Sequence, residues 1–131
     1  MHGTAFIVMA VLSDKLREDF WSLLGNLDEL NVAIIVEGKK DKAALEALGI
    51  SPTGIFVLNK QPIFAVAEAV AKECNVAVIL TDLDSEGRKL YGKFNMALQQ
   101  LGTKVDNRIR NFIFRNTKVR QVEGLATIHQ P

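Results

Sequence analysis

Acidic residues follow two apolar runs of the chain at the point where each run ends. Glu37 directly follows one run, and Asp82, Asp84 and Glu86 follow another. Carboxylates held close together destabilise one another unless a proton or a cation shields their charge. Mg²⁺ suits that role because it typically binds one or two carboxylates, keeps several waters and leaves positions for phosphate oxygens. If the two runs are neighbouring strands, the sequence predicts a Mg²⁺ site for phosphate chemistry, with Mn²⁺ as the alternative ion.

A second interpretation of Asp82 and Asp84 is that they cap a helix that begins near Gly87, because acidic side chains complement the helix dipole there. Capping needs only one aspartate. The pair at positions i and i+2, followed by Glu86, therefore favours a metal site. Gly38, directly after Glu37, permits a tight turn and a close approach of a ligand to the backbone.

The two acidic segments share features with three other motifs. Residues 82–87 begin like the calcium-binding loop of an EF-hand, but Lys93 stands where that loop needs a final Glu, and a strand precedes the segment. Residues 38–40 do not form a P-loop, because the earlier glycine of that motif is absent. A strand followed by Asp-x-Asp is also similar to the haloacid-dehalogenase-type phosphatases. Glu86 stands where those enzymes carry Thr or Val, so a phosphatase is kept as a remote alternative.

The elements that would position these residues alternate between strands and helices. Runs rich in Val and Ile indicate parallel strands buried on both faces, over residues 32–36, 55–58 and 76–80. Helical spacing of apolar residues follows each run, over residues 41–48, 62–73 and 87–101. A short fourth strand and a last helix are expected over residues 104–106 and 107–115. This alternation of strands and helices predicts an α/β fold with a Rossmann-like central parallel sheet of about four strands flanked by helices.

Length and composition are those of one ordinary globular domain. The chain has 131 residues, of which 48% are hydrophobic and 24% charged, so disorder and a second full domain are excluded. We expect an N-terminal segment with an amphipathic helix over residues 1–30, capped by Ser13, then the main domain over residues 31–120 and a tail over residues 121–131. Residues 5–12 are too short to span a bilayer and are expected to form a strand or an ordered tail.

The single cysteine and the charge balance limit the compartment and the partners. Cys74 alone excludes an internal disulfide and a four-cysteine zinc site, and it favours the cytoplasm. The formal charge of +1 gives no overall attraction to nucleic acid or to a membrane. No membrane partner is expected, and a nucleic acid must meet a local patch.

One basic segment offers such a patch near the end of the predicted domain. Residues 104–120 hold six basic residues and one acidic residue, a net charge of +5, and the rest of the chain carries −4. Arg108 and Arg115 fall on one side of the predicted last helix, which is either a phosphate track or an ordinary solvated surface. Phe114 is expected in the core, with stacking on a base as the alternative.

Two segments resemble the signature motifs of the Toprim domain. They are Ile35-Val36-Glu37-Gly38-Lys39-Lys40-Asp41 and Leu80-Thr81-Asp82-Leu83-Asp84-Ser85-Glu86-Gly87. This domain is shared by type IA and type II topoisomerases, bacterial-type primases, OLD-family nucleases, RecR-type recombination proteins and small ribonucleases that mature a ribosomal RNA precursor. The resemblance covers residues 31–110 and is greatest to the small stand-alone Toprim proteins of archaea and some bacteria. It implies a Toprim fold for residues 31–120.

The resemblance also implies roles for individual residues. Glu37 takes the place of the family's general acid or base, Asp82 and Asp84 take the places of its metal-binding pair, and Glu86 matches an acidic residue that supports the metal in type IA topoisomerases. The family's glycines are matched by Gly38 and Gly87. Lys39 and Lys40 either reach the same phosphate or form a solvated helix start. The residues expected to bind nucleic acid are Lys39, Lys40, Arg88, Arg108, Arg110 and Arg115.

Departures from the larger Toprim proteins narrow the implied activity. Type IA topoisomerases bring a nucleophilic tyrosine from a separate domain, and Tyr91, the only tyrosine here, is expected to be a packing or surface residue. Primases add a zinc module that one cysteine cannot supply. The resemblance leaves a Mg²⁺-dependent nuclease core acting on phosphodiesters, with RNA slightly favoured over DNA. The alternative is a non-catalytic nucleic-acid-binding or scaffolding subunit that needs a partner. The chain could act as a homodimer or within a larger nucleic-acid-processing complex, and the sequence does not choose between them.

Overall fold

The computed structural model describes residues 14–29, 32–47, 49 and 54–116. Strands and helices alternate along this part of the chain. In chain order they are α1 (Asp14–Glu29), β1 (Ala33–Val36), α2 (Lys39–Ala47), β2 (Ile55–Val57), α3 (Ile63–Glu73), β3 (Val76–Ile79), α4 (Ser85–Gln100), β4 (Lys104–Val105) and α5 (Arg108–Asn116). The predicted α/β fold is confirmed. The expected strand or tail over residues 5–12, the Ser13 cap and the tail over residues 121–131 lie outside the described residues.

The four strands form one parallel sheet in the order β2-β1-β3-β4. Ile34 of β1 pairs with Ile55 of β2 on one side and with Val78 of β3 on the other. Successive side chains of a strand point to opposite faces of the sheet, and helices cover both faces here. All four residues of β1 are therefore buried, which explains why its sequence shows no alternation of apolar and polar residues.

The core has one layer on each face of the sheet. Side chains of α1, α2 and α5 pack on one face, with Val36 and Val78 meeting residues such as Phe20, Leu45 and Ile109. Side chains of α3 and α4 pack on the other face, and this layer includes Ile35, Ile79, Val66, Val70, Phe94 and Leu98. The helices that follow β1 and β3 thus lie on opposite faces.

The ends of α4 are fixed by local hydrogen bonds that its sequence supplies. Asp84 is the N-cap residue, and Gly102 follows the helix with a φ of +83° that favours glycine. The N–H of Gly102 donates to the carbonyl of Gln99, and the N–H of Thr103 donates to the carbonyl of Leu98. This pair of bonds is a Schellman motif, and it turns the chain directly into β4.

Helix α1 packs against α5, the last helix within the described residues. The ring of Phe20, which is fully buried, lies 5.6 Å from the ring of Phe112 and 5.8 Å from that of Trp21. Helix α1 thus adds apolar cover to the face of the sheet that carries α5. None of the helices in the described ranges has the length and apolar character needed to cross a membrane.

Candidate functional site

The carboxyl ends of β1 and β3 lie side by side at a topological switch point. The chain leaves β1 toward β2 and leaves β3 toward β4, in opposite directions across the sheet. Ligands of open α/β sheets bind in the crevice that such a divergence opens. A cleft of about 490 Å³ lies at this edge, and we call it the switch-point cleft. Its lining residues are Glu37, Gly38, Lys39, Lys40, Asp41, Asn59, Lys60 and Asp82.

A hydrogen bond joins the two acidic segments inside this cleft. The backbone N–H of Asp82 donates to Oε2 of Glu37 at 2.7 Å. The sheet register produces this contact. Leu80 and Ile35 lie two residues before Asp82 and Glu37, and the N–H of Leu80 donates to the carbonyl of Ile35. The carbonyl of Glu37 instead accepts the N–H of Asn59, beyond β2. Glu37 is therefore held from both neighbouring strands. We expected Glu37 to face both Asp82 and Asp84, and the structure brings Asp82 to it in this cleft.

The other two predicted metal-binding carboxylates begin helix α4 and are not among the cleft's lining residues. Asp84 is exposed, and its Oδ1 accepts the N–H of Gly87 at 2.8 Å. Glu86 is exposed in the first turn of α4. The capping interpretation therefore applies to Asp84, although that contact uses only one of its two carboxylate oxygens.

The donor set of the cleft fits a metal ion that is shared with a phosphate. Among the residues that the structure describes, no three His, Cys, Asp or Glu side chains are gathered to hold a metal ion. Mg²⁺ does not need such a cage, since it typically takes one or two carboxylates and completes its octahedron with waters and phosphate oxygens. Glu37 and Asp82 supply two carboxylates of the required kind. They would hold Mg²⁺, or Mn²⁺, only loosely before a phosphate arrives.

Gly87 allows the loop that carries Asp82 to fold onto the start of α4. A Cβ atom at this position would lie 1.9 Å from the carbonyl oxygen of Asp82 and 2.5 Å from its carbonyl carbon. Only glycine permits that approach. The hydroxyl of Thr81, itself buried, donates to the carbonyl of Gly87 at 2.6 Å and fixes the same turn. The position of Asp82 thus depends on both residues.

Arg110 lies beneath this loop and is only 8% exposed. Its guanidinium donates to the carbonyl of Thr81 at 2.6 Å and to those of Ile79 and Asp82 at 3.2 Å. The same group lies 4.7 Å from the centre of the Tyr91 ring, a cation–π distance. Arg110 was predicted to contact phosphate, but it is buried in the domain. Tyr91, expected to be a packing or surface residue, packs against its guanidinium.

Arg110 also places a positive charge near the two acids of the cleft. Burial lowers the pKa of Arg110, whereas the negative charges of Asp82 and Glu37 raise it. An arginine keeps its proton under ordinary conditions, so this group is a fixed cation beside the two acids. Arg110 therefore supplies part of the positive charge that the sequence argument assigned to a metal ion.

Replacing Arg110 tests whether it supports the loop. Arg110→Met keeps much of the buried volume but removes three hydrogen bonds from a charged donor, so we expect a loss of about 2–3 kcal/mol in the free energy of unfolding. Urea titration followed by circular dichroism measures the loss. Arg115→Met, an exposed position on the same helix, should stay within about 0.5 kcal/mol of the wild type. Equal stability of the two variants would show that the loop does not need the guanidinium.

Basic residues also line the switch-point cleft. Lys39 and Lys40 begin helix α2 and are exposed, which fits both a phosphate contact and a solvated helix start. Lys60 also lines the cleft. It lies in a turn where Asn59 and Lys60 have φ values of +43° and +64°. Asn at the start of such a turn is a recognisable signal, because its side chain tolerates this backbone conformation. The turn was predicted only as a tight connection, and its place in the cleft was missed.

Asp41 is a second cleft residue that the sequence analysis did not single out as functional. It is 8% exposed, and its Oδ2 accepts the N–H of Gly38 at 2.9 Å. Gly38 precedes the first residue of α2, so Asp41 returns a hydrogen bond from the third helical position to the cap, as the acidic residue of a capping box does. Its spacing from Gly38 could have revealed this structural role.

The remaining residues predicted to contact nucleic acid differ in whether they already pair with an acidic side chain. Arg108 is exposed, but it forms a bidentate pair with Asp106 at 2.7–3.1 Å, and its guanidinium holds the pKa of Asp106 below the usual range. Arg115 and Arg88 are exposed. Lys118 and Arg120, which contribute to the basic segment, lie outside the described residues.

Phe114 was expected in the core, and this prediction was wrong, because its side chain is 48% exposed. The buried side of α5 is formed by Ile109, Arg110 and Ile113. Arg110 takes a buried position that the apolar pattern would give to a hydrophobic residue, and Phe114 lies at the margin of that side.

Comparisons with known proteins place the chain among archaeal relatives. No model of a known protein family matches it. The UPF0292 protein of Methanocaldococcus jannaschii is 38% identical over 116 residues, which cover 82% of this chain and 90% of that protein. The UPF0292 protein of Methanosarcina barkeri is 37% identical over 119 residues, covering 86% and 82%. A solved structure of a protein from Aquifex aeolicus has a TM-score of 0.72 and 25% identity, and it covers 81% of this chain and 94% of that chain.

Proposed function

The chain belongs to the UPF0292 protein family, and we propose that it is a Mg²⁺-dependent Toprim protein that hydrolyses nucleic-acid phosphodiesters. RNA is slightly favoured over DNA through the resemblance to the small ribonucleases. The observation that carries the proposal is the hydrogen bond between Glu37 and the N–H of Asp82 at the switch point of the sheet. It holds the acids of the two Toprim-like segments in one cleft beside three lysines.

The cleft residues divide the work of hydrolysis according to their chemistry. Glu37 and Asp82 would hold Mg²⁺, which supplies charge neutralisation and orientation of the scissile phosphate. Glu37 exchanges a proton with the attacking water or with the leaving oxygen, as a general base or acid. Lys39, Lys40 and Lys60 bind the phosphates that flank the scissile bond, since they line the same cleft. A cytoplasmic location suits this substrate.

A nuclease assay with Asp82→Asn tests the proposal. We expect the wild type to cleave a structured RNA or a single-stranded DNA in Mg²⁺ and not in EDTA, with Mn²⁺ as a substitute. Asp82→Asn should cleave at least about 100-fold more slowly, because it weakens the metal's hold on the phosphate by several kcal/mol. Asp19→Asn removes the same charge from an exposed position on α1 and should cleave like the wild type. Cleavage that survives Asp82→Asn unchanged would point to a contaminating nuclease and contradict the proposal.

A non-catalytic nucleic-acid-binding or scaffolding subunit is the second candidate function. It is favoured by one observation: Asp84 caps α4, so only two of the four predicted carboxylates line the cleft. In that case the wild type binds RNA or DNA in Mg²⁺ without cleaving it, and activity requires a partner protein. Turnover of p-nitrophenyl phosphate, with no effect on polynucleotides, would favour the phosphatase alternative instead.

A further inference from the structure

Phe114 is an exposed aromatic residue on the side of α5 that faces the loop carrying Asp82. It follows Arg110 by four residues, and positions i and i+4 of a helix lie on the same side, one turn apart. Arg110 contacts the carbonyls of Thr81 and Asp82, so this side of α5 borders the loop. The ring is 48% exposed at that border.

Arg88 connects this ring to the start of α4. Its guanidinium carbon lies 5.7 Å from the centre of the Phe114 ring, within cation–π range. Its backbone N–H donates to the carbonyl of Asp84 at 3.0 Å, so Arg88 lies one helical turn beyond the capping aspartate. Phe114 and Arg88 together form an apolar and cationic surface close to the loop that carries Asp82.

We propose that Phe114, with Arg88 beside it, is a stacking surface for an unpaired base of the nucleic acid that binds at the switch-point cleft. Every base has a π face, so aromatic rings and arginine planes bind single strands with little dependence on sequence. The charge around the ring is complementary to such a ligand, because Arg88 and Arg115 are both exposed. A paired base cannot reach the ring, since its faces are already stacked in the duplex. The substrate class is therefore a nucleic acid with an unpaired segment.

This inference rests on the proposed function, and the chain offers a matched control for it. Phe64 on α3 is 47% exposed, almost the same fraction as Phe114, but α3 packs on the opposite face of the sheet from α5. Phe64→Ala therefore removes an equally exposed ring away from the loop. Similar thermal unfolding of Phe64→Ala and Phe114→Ala establishes that both variants are folded before binding is compared.

Fluorescence anisotropy with a labelled single strand and a labelled duplex measures the effect. Both probes are used with the full chain carrying Glu37→Gln in Mg²⁺, so that cleavage does not consume them. We expect Phe114→Ala to weaken single-strand binding by about 5-fold to 100-fold, the range measured for one aromatic–base stack, and to leave duplex binding unchanged. Phe64→Ala should change neither affinity. Phe114→Trp should restore single-strand binding, and its added fluorescence should be quenched by the bound strand.

The outcomes separate this proposal from the proposed function. Equal single-strand affinity of the Phe114→Ala and Phe64→Ala variants overturns the stacking surface and leaves the proposed function intact. Equal weakening for single strand and duplex overturns it as well, because the ring would then act through the fold. A change in sedimentation with unchanged oligonucleotide affinity would make Phe114 part of a protein interface. A wild type that binds neither probe overturns both proposals.

Discussion

Glu37→Gln is expected to reduce Mg²⁺-dependent cleavage by about 10²–10⁴-fold, the range that general acid–base catalysis contributes. The amide oxygen of the new side chain can still accept the N–H of Asp82, which Oε2 of Glu37 accepts at 2.7 Å. The substitution therefore removes the charge and the capacity to exchange a proton, while keeping the link between the two segments. Cleavage rate at saturating substrate is the measurement, with binding followed separately.

Two further measurements complete this experiment: the oligonucleotide affinity of Glu37→Gln, and the cleavage rate of a control variant at a second glutamate. Oligonucleotide affinity is measured in EDTA, so that no metal ion contributes to it, and it should be retained or improved in Glu37→Gln because one negative charge beside the phosphate is lost. Glu68→Gln removes the same charge from an exposed position on α3 and should leave cleavage at the wild-type rate. If Glu37→Gln cleaves within a few-fold of the wild type, Glu37 does not exchange the proton.

Gly87→Ala is expected to destabilise the fold by about 3 kcal/mol or more and to abolish cleavage. The added Cβ would lie 1.9 Å from the carbonyl oxygen of Asp82, and 2.5 Å and 2.8 Å from its carbonyl carbon and Cα. All three atoms belong to the backbone, so no side-chain rotation relieves the clash. The loop must move away from α4, and Asp82 moves with it. Urea denaturation measures the stability, and the nuclease assay measures the consequence for the site.

Gly92 on the same helix provides the control. A Cβ there meets no heavy atom within 4 Å. Gly92→Ala should therefore raise stability by about 0.5–1 kcal/mol through the better helix propensity of alanine, with cleavage unchanged. If Gly87→Ala were as stable and as active as Gly92→Ala, the close approach at Gly87 would not be required for the site.

The order of elements could be predicted from the sequence because each signal is local. Uninterrupted apolar runs identified β1, β2 and β3, and the spacing between them identified the helices. The order of strands in the sheet is not local, and it alone decides whether Glu37 and Asp82 meet. Their contact was predicted only on the condition that the first and third strands are neighbours, and the structure supplies that condition.

The features that the sequence did not indicate depend on tertiary contacts. Arginine is seldom buried, so charge counting assigned Arg110 to the surface. Its burial follows from three backbone carbonyls that converge on α5 and need donors. Phe114 lies at the margin of the buried side that Ile109, Arg110 and Ile113 form, and it is exposed. Asn59 and Lys60 come to the cleft only because β2 is the other neighbour of β1.

The contact between Arg110 and the loop of Asp82 also means that the site is completed late in a chain that is still being synthesised. The ribosome releases the N-terminal part first, so β1, β3 and both acidic segments emerge before α5. Until α5 docks, the carbonyls of Thr81 and Asp82 lack their guanidinium donor, and the two acids lack their fixed cation. A nascent or truncated chain that ends before Arg110 would therefore hold every carboxylate of the cleft without the support that positions them.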